Sequence, residues 1–215
     1  MTVPGEKEAT TRERIIAVAM RLFAERGFRG TTVGDIEQAA GLVPRSGALY
    51  KHFTSKEELL SAALERHVSE IEAMRSAMEM LPLGDLRAEL TLVARWTLVQ
   101  LEHQQDLMRI VQKDGEKVPE LVQQVSERIV NRGYREATAL IERLFAEALG
   151  EYNAAALAAI ALGALVNYRI EQSMFGVRPA GISEEEYIET WVEVWVRVAR
   201  SAGVDTAGQT VEKVR

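Results

Sequence analysis

The amino-acid sequence predicts an all-α protein of about nine helices, and three observations lead to this prediction. Apolar residues recur at intervals of three and four along most of the chain, which is the period of one helix face. Several of these stretches open with a hydroxyl residue followed three positions later by Glu, a capping pattern, and glycine or proline separates them. No stretch of useful length alternates apolar and polar residues with the period of a strand.

A loose arm and a first helix open the chain. Residues 1–9 combine a proline and a glycine with charged side chains, which predicts a flexible arm. Thr10 and Glu13 then form a capping box, and the apolar stripe behind it continues to Gly27, where we expect the helix to end. This helix should brace the following pair of helices from behind.

Two shorter helices are predicted next, separated by a tight turn. The first takes Thr32 as its hydroxyl cap and ends at Gly41, because glycine adopts left-handed backbone angles at no steric cost. The second, called the reading helix, is predicted to begin at Pro44, whose fixed backbone angle suits a first helical position. Leu49 and Phe53, four residues apart, form its inward side. The three helices together predict a head that contains a helix-turn-helix.

The outward side of the reading helix carries side chains of the kinds that bind duplex DNA. A short exposed helix fits the major groove, where Arg and Ser pair with base edges and where Tyr and Lys reach phosphates. A glycine in this place lets the backbone approach a base closely. The residues concerned are Arg45, Ser46, Gly47, Tyr50 and Lys51.

The head resembles the TetR family of bacterial transcriptional regulators over about the first quarter of the chain. The family signature is a threonine-rich helix start, an Ala-Gly turn and an LYxHF ending. The matching residues are Thr31-Thr32, Ala40-Gly41, Leu49-Tyr50-Lys51-His52-Phe53 and the following Ser55-Lys56-Glu57-Glu58. Between Gly41 and Leu49 the chain carries two residues more than the commonest family spacing, so the match is loosest where the reading helix starts.

The resemblance also implies contacts with the DNA backbone. It implies that Tyr50, His52, Thr32 and Lys56 touch phosphates. Lys56 has a physical reason of its own, because the next helix begins there and helix amino termini attract anions. Without the resemblance, His52 is better explained as a structural side chain packed on Phe53. The complete predicted DNA-binding set is Thr32, Arg45, Ser46, Gly47, Tyr50, Lys51, His52 and Lys56.

The distribution of charge agrees with a DNA-binding head on an acidic body. The chain has 26 Lys and Arg against 32 Asp and Glu, a balance that by itself argues against nucleic-acid binding. Residues 1–56, however, hold nine basic and six acidic side chains, which leaves 17 basic and 26 acidic in the remainder. Attraction for phosphate is thereby concentrated where the reading helix lies.

Composition excludes several other classes of protein. The 215 residues, 47% of them hydrophobic, are enough for a real core, and the absence of cysteine excludes disulfides, thiolate metal sites and thiol nucleophiles. The amino terminus lacks a signal-peptide pattern, and the longest apolar run, Ala154 to Val166, is too short for a bilayer span. We therefore expect a soluble cytoplasmic protein without membrane contact, metal or cofactor.

The body is predicted to be helical throughout. The predicted DNA-binding domain covers residues 10–56, an effector-binding and dimerisation domain covers 57–202, and a flexible tail covers 203–215. Six helices are predicted in the body. The first begins after a capping box at Ser55 and Glu58, and the last begins after a capping box at Ser183 and Glu186. The four between them run from about Asp85 to Gln104, around Leu107, from Pro119 to Gly150 and from Ala155 to Met174.

The last two helices carry apolar residues over more than one face, which predicts a neighbour beyond the monomer core. In the TetR family, which the head resembles, these helices form a four-helix bundle between two copies. Two heads related by a twofold axis read a near-palindromic operator with half-sites about one helical turn apart or more. The predicted interface residues are Leu157, Ile160, Ala164, Trp191, Trp195 and Val198, with monomer core as the alternative for the two tryptophans.

A small-molecule effector is implied by the same resemblance, since in this family an effector in the body changes the separation of the two heads. Met adapts to irregular gaps, and Tyr or Asn orients a ligand, although each candidate is also explained as ordinary core. The candidate pocket residues are Met74, Met78, Trp96, Met108, Tyr134, Asn167 and Tyr168.

The sequence therefore predicts a homodimeric DNA-binding regulator, a repressor that a small apolar or amphipathic molecule releases from its operator. An activator, or a regulator that answers to a protein partner, is the alternative. A helical enzyme is disfavoured, because the three histidines are far apart and the sequence has no HExxH motif, Glu-x-x-His pair or phosphate-binding glycine loop. A helical scaffold explains the body but leaves the basic head without a role.

Overall fold

The computed structural model describes residues 10–75, 83–145 and 153–204, and there the protein is all-α, as predicted. The predicted arm and the tail from residue 205 onward lie outside the described residues. Short 3-10 turns cover Ala48–Lys51, Gly115–Lys117 and Pro179–Gly181, and a π-helical segment covers Ser126–Val130. The α-helices are α1 (Thr11–Arg26), α2 (Val33–Ala39), α3 (Lys56–Arg75), α4 (Leu86–His103), α5 (Gln105–Asp114), α6 (Pro119–Val125), α7 (Asn131–Phe145), α8 (Ala154–Phe175) and α9 (Glu184–Ser201).

Local signals in the sequence account for most helix starts. Thr10 and Glu13 form the predicted capping box of α1, and α9 opens with an equally complete one. The box predicted for α3 is only half formed. Ser55 Oγ accepts a hydrogen bond from the Glu58 amide at 3.1 Å, but the Glu58 carboxylate accepts from the amide of Thr54 instead.

The long helix predicted from Pro119 to Gly150 is divided. α6 does begin at Pro119, but after Val125 the backbone enters the π-helical segment, and α7 continues from Asn131. A π turn adds one residue to a helical turn, so it shifts the apolar face of the following helix. Periodicity misses such a segment because both of its flanks are helical. The predicted end at Gly150 lies outside the described residues.

The described residues form two compact units. Unit 1 comprises the residues up to Glu70 together with Gln104–Val125, and unit 2 comprises Ile71–His103 together with the residues from Ser126 onward. Unit 1 therefore does not end at the predicted domain boundary of residue 56, since it keeps most of α3 and adds α5 and α6. The physical reason is that α1 packs against α5, far away in sequence.

Unit 1 has an apolar core contributed by α1, α2, α3, α5 and the chain between α2 and α3. Full burial of one large apolar side chain stabilises a fold by about 1.5 to 3 kcal/mol. The core therefore stabilises the helices to which the surface loops of the unit are attached. Its most completely buried members are Ile15, Ala19, Phe23, Ile36, Leu49, Phe53, Leu59, Leu64, Leu107 and Ile110.

Unit 2 is built around one packed cluster to which α4, α7, α8 and α9 contribute. The cluster includes Leu86, Leu90, Ala94, Leu98, Ile141, Leu144, Phe145, Ala158, Ala161, Leu165, Tyr168, Ile188, Trp191, Val192, Trp195, Val196 and Ala199. Ion pairs from Arg87 to Glu193 and from Arg95 to Glu185 connect α4 to α9 at the surface.

Candidate nucleic-acid interface

The first helix of the predicted pair, α2, is capped as expected. Thr32 is its N-cap, and the Thr32 hydroxyl accepts a hydrogen bond from the Asp35 amide at 3.1 Å. The Thr32 amide and hydroxyl in turn donate to Asp35 Oδ2 at 2.8 and 2.6 Å. These bonds, the hydroxyl first, hold the pKa of Asp35 below its ordinary value. Thr32 is exposed, but much of its hydrogen-bonding capacity already serves the cap.

The reading helix is the main correction to the sequence-based fold. No α-helix begins at Pro44, and the only helical geometry between α2 and α3 is the 3-10 turn Ala48–Lys51. We call residues 42–52 the reading segment. Two of its residues have positive φ, Arg45 at 60° and Gly47 at 71°, and such angles cannot continue a right-handed helix. The extra length between Gly41 and Leu49 is thus taken up by an irregular loop.

Buried side chains anchor the reading segment to the head. Leu49 has no exposed surface and Phe53 has 1%, as the sequence predicted for its inward side. The amide of Leu49 donates to Oε1 of Glu37, a fully buried residue of α2, at 3.1 Å. Ser46 Oγ accepts from the amide of Ala48 at 3.2 Å. The segment therefore has a defined path although it is not an α-helix.

The predicted DNA-binding side chains come to one short stretch of surface. Arg45, Ser46, Tyr50, Lys51 and His52 are all exposed, and Gly47 is half-buried. Tyr50 exposes 57% of its surface. Together they offer guanidinium, ammonium, imidazole and hydroxyl donors, the groups that pair with phosphates and with base edges.

The reading segment also exposes an apolar side chain that the sequence analysis did not select. Val43 exposes 72% of its surface, and it lies between α2 and the positive-φ residue Arg45. The signal that could have selected Val43 is its position between Gly41 and Leu49, where the chain is two residues longer than the commonest family spacing. An exposed apolar side chain beside basic residues suits contact with the C5-methyl group of thymine.

Lys56 has a structural environment that its predicted phosphate contact did not anticipate. Its Nζ donates to the carbonyl oxygens of Phe28 at 2.8 Å and Thr31 at 2.9 Å. The same Nζ lies 4.6 Å from the centre of the Phe28 ring. Two of the three ammonium protons are therefore used inside the head, where they hold the loop between α1 and α2.

A buried carboxylate of α5, missed by sequence analysis, holds the other side of this loop. Asp114 Oδ2 accepts a hydrogen bond from the Phe28 amide at 2.7 Å, and Asp114 Oδ1 accepts from Lys117 Nζ. The bond from Lys117, aided by the Phe28 amide, lowers the pKa of Asp114 despite its burial. Gly27 makes the approach possible, since a Cβ there would lie 2.8 Å from Asp114 Oδ2. An Asp and a Lys three residues apart around Gly115 were the only local hint.

The candidate pocket residues do not share one environment. Tyr168 belongs to the core of unit 2, because its ring stacks on Tyr187 at 4.3 Å and its hydroxyl donates to the Ile182 carbonyl. Asn167 is exposed and donates to Glu171 on its own helix. The packing and the hydrogen bond of Tyr168 support its alternative interpretation as ordinary core.

The remaining pocket candidates differ in what the structure describes. Trp96 is half-buried in unit 2, and its enclosed indole Nε1 has no hydrogen-bond partner among the described residues. Tyr134, also in unit 2, is 38% exposed, and Met108 is a half-buried residue of unit 1. The side chain of Met74 and the whole of Met78 lie outside the described part of the chain.

Two of the candidate interface residues face the inside of unit 2. Trp191 and Trp195 expose only 8% and 6% of their surfaces, and the Trp191 indole donates to the Ala161 carbonyl at 3.0 Å. Their proposed role as anchors between copies is therefore corrected to monomer core. The apolar arc of α9 is wide because α4 and α8 both contact it.

The other candidate interface residues divide between the edge of the core and the surface. Leu157, Ala164 and Val198 are partly buried against the cluster, and the Ala164 carbonyl accepts from the Tyr187 hydroxyl at 2.7 Å. Ile160 exposes 64% of its surface on α8.

α8 is longer than its apolar run suggested. Among the described residues, the 22 residues of α8 form the one helix that is long and apolar enough to cross a membrane, by length and composition alone. The apolar run on which the expectation was based, residues 154–166, forms only the first part of this helix. The core helices of soluble proteins also meet this criterion, and α8 carries the buried Arg169, whose guanidinium pairs with Glu184 at 2.7 Å.

Over residues 10–75, 83–145 and 153–204, no three His, Asp or Glu side chains gather in a way that would hold an ion. The exposed side chains of the reading segment offer hydrogen-bond donors and one apolar contact, and groups of this kind are able to bind a polyanion.

Comparison with known proteins places this head in a family. A model described as bacterial regulatory proteins, tetR family, matches residues 15–63, which span α1, α2, the reading segment and the start of α3. The chain is 23% identical to the uncharacterized HTH-type transcriptional regulator YvkB of Bacillus subtilis over 193 residues, 87% of this chain and 96% of YvkB. A shorter match of 60 residues, 28% of each chain, is 45% identical to the HTH-type transcriptional repressor KstR2 of Rhodococcus jostii.

The fold of a solved relative extends the likeness beyond the head. The ketosteroid transcriptional regulator KstR2 of Mycobacterium tuberculosis superposes with a TM-score of 0.62 over 91% of this chain and 96% of that one, at 20% identity. The family match falls on the elements that carry the exposed donor set, and the likeness in fold continues through the helical body. This chain is a transcriptional regulator of the TetR family.

Proposed function

We propose that this regulator binds a specific operator and represses transcription, and that the reading segment makes the contacts. The observation that carries the proposal is the exposed set Arg45, Ser46, Tyr50, Lys51 and His52, held on a buried anchor at Leu49. Donors of this kind pair with base edges and phosphates, and Gly47 leaves room for a close backbone approach. The repressor sign is supported by the name of the related KstR2 proteins.

Operator binding is tested by selecting a duplex from a random DNA pool with the wild-type protein and measuring its dissociation constant over a range of salt concentrations. Arg45→Ala and Lys51→Ala should each weaken binding by about 1 to 3 kcal/mol, or roughly 5- to 150-fold. Arg135→Ala is the matched control, because Arg135 is an exposed arginine of α7 in unit 2. Equal affinity of all three variants would contradict the role of the reading segment.

The sign of regulation needs its own measurement, since an activator binds DNA with the same residues. In vitro transcription from a promoter that carries the selected duplex should fall when the protein is added. A rise would favour the activator, and a response only in the presence of cell extract would favour control by a protein partner. We also propose a cytoplasmic location, because the DNA that such a regulator binds is there.

We propose that a second copy covers the exposed side of α8, which makes the regulator a homodimer. Exposed apolar residues Ile160, Ile170 and Met174 fall on one stripe of α8, and Val194 is exposed on α9. Ile160 exposes 64% of its surface and Met174 58%, and such apolar exposure along one helix favours a partner. Ile160→Glu should shift the sedimentation mass from dimer to monomer. Val99→Glu, a similar change at an exposed apolar residue of α4, should not.

We propose that a small apolar or amphipathic molecule releases the regulator from DNA. Trp96 is the best-supported contact, because a buried indole N–H without a partner is able to donate to a polar atom of a ligand. The ketosteroid named for the related structure suggests the first compounds to try. An effector should weaken operator binding about 5- to 150-fold, and Trp96→Phe should reduce that response while leaving effector-free DNA binding intact.

A further inference from the structure

Glu37 is an unusual residue for the centre of a DNA-binding head. It lies on α2 with no exposed surface, among apolar side chains that include Ile36 and Leu49. Its Oε1 accepts the hydrogen bond from the Leu49 amide at 3.1 Å, across twelve residues of chain. Its Oε2 is equally buried and has no hydrogen-bond partner among the described residues.

Burying a carboxylate costs free energy, so the position of Glu37 in the core requires an explanation. A buried carboxylate loses its hydration, and here a single neutral amide replaces it. An apolar residue of similar size would avoid that cost. What it would not do is accept the hydrogen bond of the Leu49 amide, which has no acceptor within its own turn.

The reading segment depends on this bond because its internal backbone bonds, such as those from Tyr50 to Gly47 and from His52 to Leu49, do not use the Leu49 amide. In an α-helix the backbone fixes its own path through successive hydrogen bonds. Here the 3-10 turn has Gly47 as its N-cap, with no side-chain cap, and the preceding loop holds Arg45 at a positive φ. Beside the buried Leu49 side chain, the Glu37 carboxylate is a long-range contact that fixes the backbone at the start of the turn. Tyr50 and Lys51 follow directly, so their directions depend on it.

We propose that Glu37 is a positioning residue for operator recognition. Its buried carboxylate holds the backbone of the 3-10 turn in the orientation that presents Tyr50 and Lys51 to DNA. Glu37 itself makes no contact with DNA, since it has no exposed surface. The inference rests on the proposed function of the reading segment.

The test compares three changes at Glu37 by the ratio of two affinities, one for the duplex selected by the wild type and one for a scrambled duplex of equal length. Glu37→Ala removes the acceptor, and the ratio should fall at least about tenfold. Glu37→Asp keeps a carboxylate but withdraws it by one methylene, and the ratio should fall similarly. Glu37→Gln keeps an acceptor oxygen at the same reach, so the ratio should stay within about threefold of wild type.

A control and a stability measurement separate positioning from simple loss of fold. Gln38→Ala changes the exposed neighbour on α2 and should leave the ratio unchanged. Thermal unfolding is followed for every variant, and binding is measured at a temperature where each is folded. A merely structural residue would weaken binding to both duplexes in parallel with its effect on unfolding, and that result would overturn the proposal.

Two further outcomes are decisive. Wild-type ratios in Glu37→Ala and Glu37→Asp would show that the bond to Leu49 does not direct recognition. A loss in Glu37→Gln as large as in Glu37→Ala would show that the acceptor oxygen is not what matters, and would also overturn the proposal. A wild-type protein that itself does not prefer the selected duplex would instead refute the proposed function, and this inference with it.

Discussion

The two compact units use their buried polar groups differently. In unit 1, buried or half-buried side chains bind the backbone of loops: Asp114 accepts from Phe28, Glu37 accepts from Leu49, and Lys56 donates to carbonyl oxygens. In unit 2, Glu89 and Tyr168 also bind loop backbone, at Leu83 and Ile182. The aromatic side chains of α9, however, bind carbonyls of α8 within a continuous apolar cluster, as Trp191 does with Ala161 and Tyr187 with Ala164.

This difference fits what each unit has to keep in place. Loops have no regular hydrogen-bond ladder, so a unit that presents a loop to DNA needs side chains that fix the path of that loop. Helices hold their own backbone bonds, and a unit made of packed helices needs only to fix how the helices pack. Substitutions in the cluster of unit 2 should therefore act through the packing of helices, whereas those of the loop-binding side chains in unit 1 should act through the loops that they hold.

The largest effect is expected for Trp191→Ala in unit 2. It leaves a cavity in the cluster and removes the donor to Ala161, which should lower the free energy of unfolding by about 3 to 5 kcal/mol. Urea denaturation at a fixed protein concentration measures it. Glu189→Ala, at an exposed position of the same helix, should change the free energy of unfolding by less than about 0.5 kcal/mol. A small effect of Trp191→Ala would break the comparison, since packing would then not dominate unit 2.

A smaller, pH-dependent effect is expected for Asp114→Asn in unit 1. Loss of the charge-assisted bonds to Lys117 and Phe28 should lower the free energy of unfolding by about 1.5 to 3 kcal/mol at pH 7. Because folding lowers the pKa of Asp114, its contribution is complete above the ordinary value, about pH 4, and is lost as the pH falls through the lowered one. The difference in free energy of unfolding between wild type and variant, measured by urea denaturation at several pH values, should therefore become smaller in acid.

The control for Asp114 lies on the same helix. Asp106→Asn changes an exposed carboxylate that pairs with Arg109 at 3.4 Å, and exposed pairs contribute about 0 to 1 kcal/mol. A difference between Asp114→Asn and wild type that stays constant down to pH 3 would contradict the role of the Asp114 charge.

Two lysines of the head should separate structure from DNA contact. Lys56→Met leaves the carbonyls of Phe28 and Thr31 without this donor and should reduce the free energy of unfolding by about 1 to 2 kcal/mol. Lys51→Met changes an exposed side chain, so it should weaken operator binding with little effect on unfolding. The reverse result would restore Lys56 to a mainly phosphate-binding role.

The smallest effect concerns Val43, and it sharpens the picture of the reading segment. If Val43 contacts a thymine, replacing thymine by uracil in the selected duplex removes one methyl group, worth about 0.8 kcal/mol or roughly fourfold in affinity. Val43→Ala should bind both duplexes nearly equally. Equal sensitivity of wild type and variant to the replacement would exclude this contact.

Much of the fold was predictable because its signals are local. The caps at Thr10 and Thr32 and the inward positions of Leu49 and Phe53 depend on residues a few positions apart. The family resemblance of the head rests on the same kind of signal, a compact motif at fixed spacing.

The rest was not predictable because it depends on distant partners. The Glu37 carboxylate reaches Leu49 across twelve residues, and Asp114 reaches Phe28 across 86. The sequence left Trp191 between a copy interface and monomer core, since periodicity shows that a helix face is apolar but not which neighbour covers it. The irregular backbone at Arg45 arises from added length, for which residue type gives no rule.

The apolar stripe of α8 has a consequence for how the protein is made in the cell. Under the proposed homodimer, a newly synthesised chain that has folded alone presents this stripe to its surroundings until it meets another copy, and that encounter is second order in concentration. When synthesis is slow the solitary chain persists longer, open to chaperones, proteases and lipid. The abundance of active regulator should therefore rise more steeply than in proportion to its rate of translation.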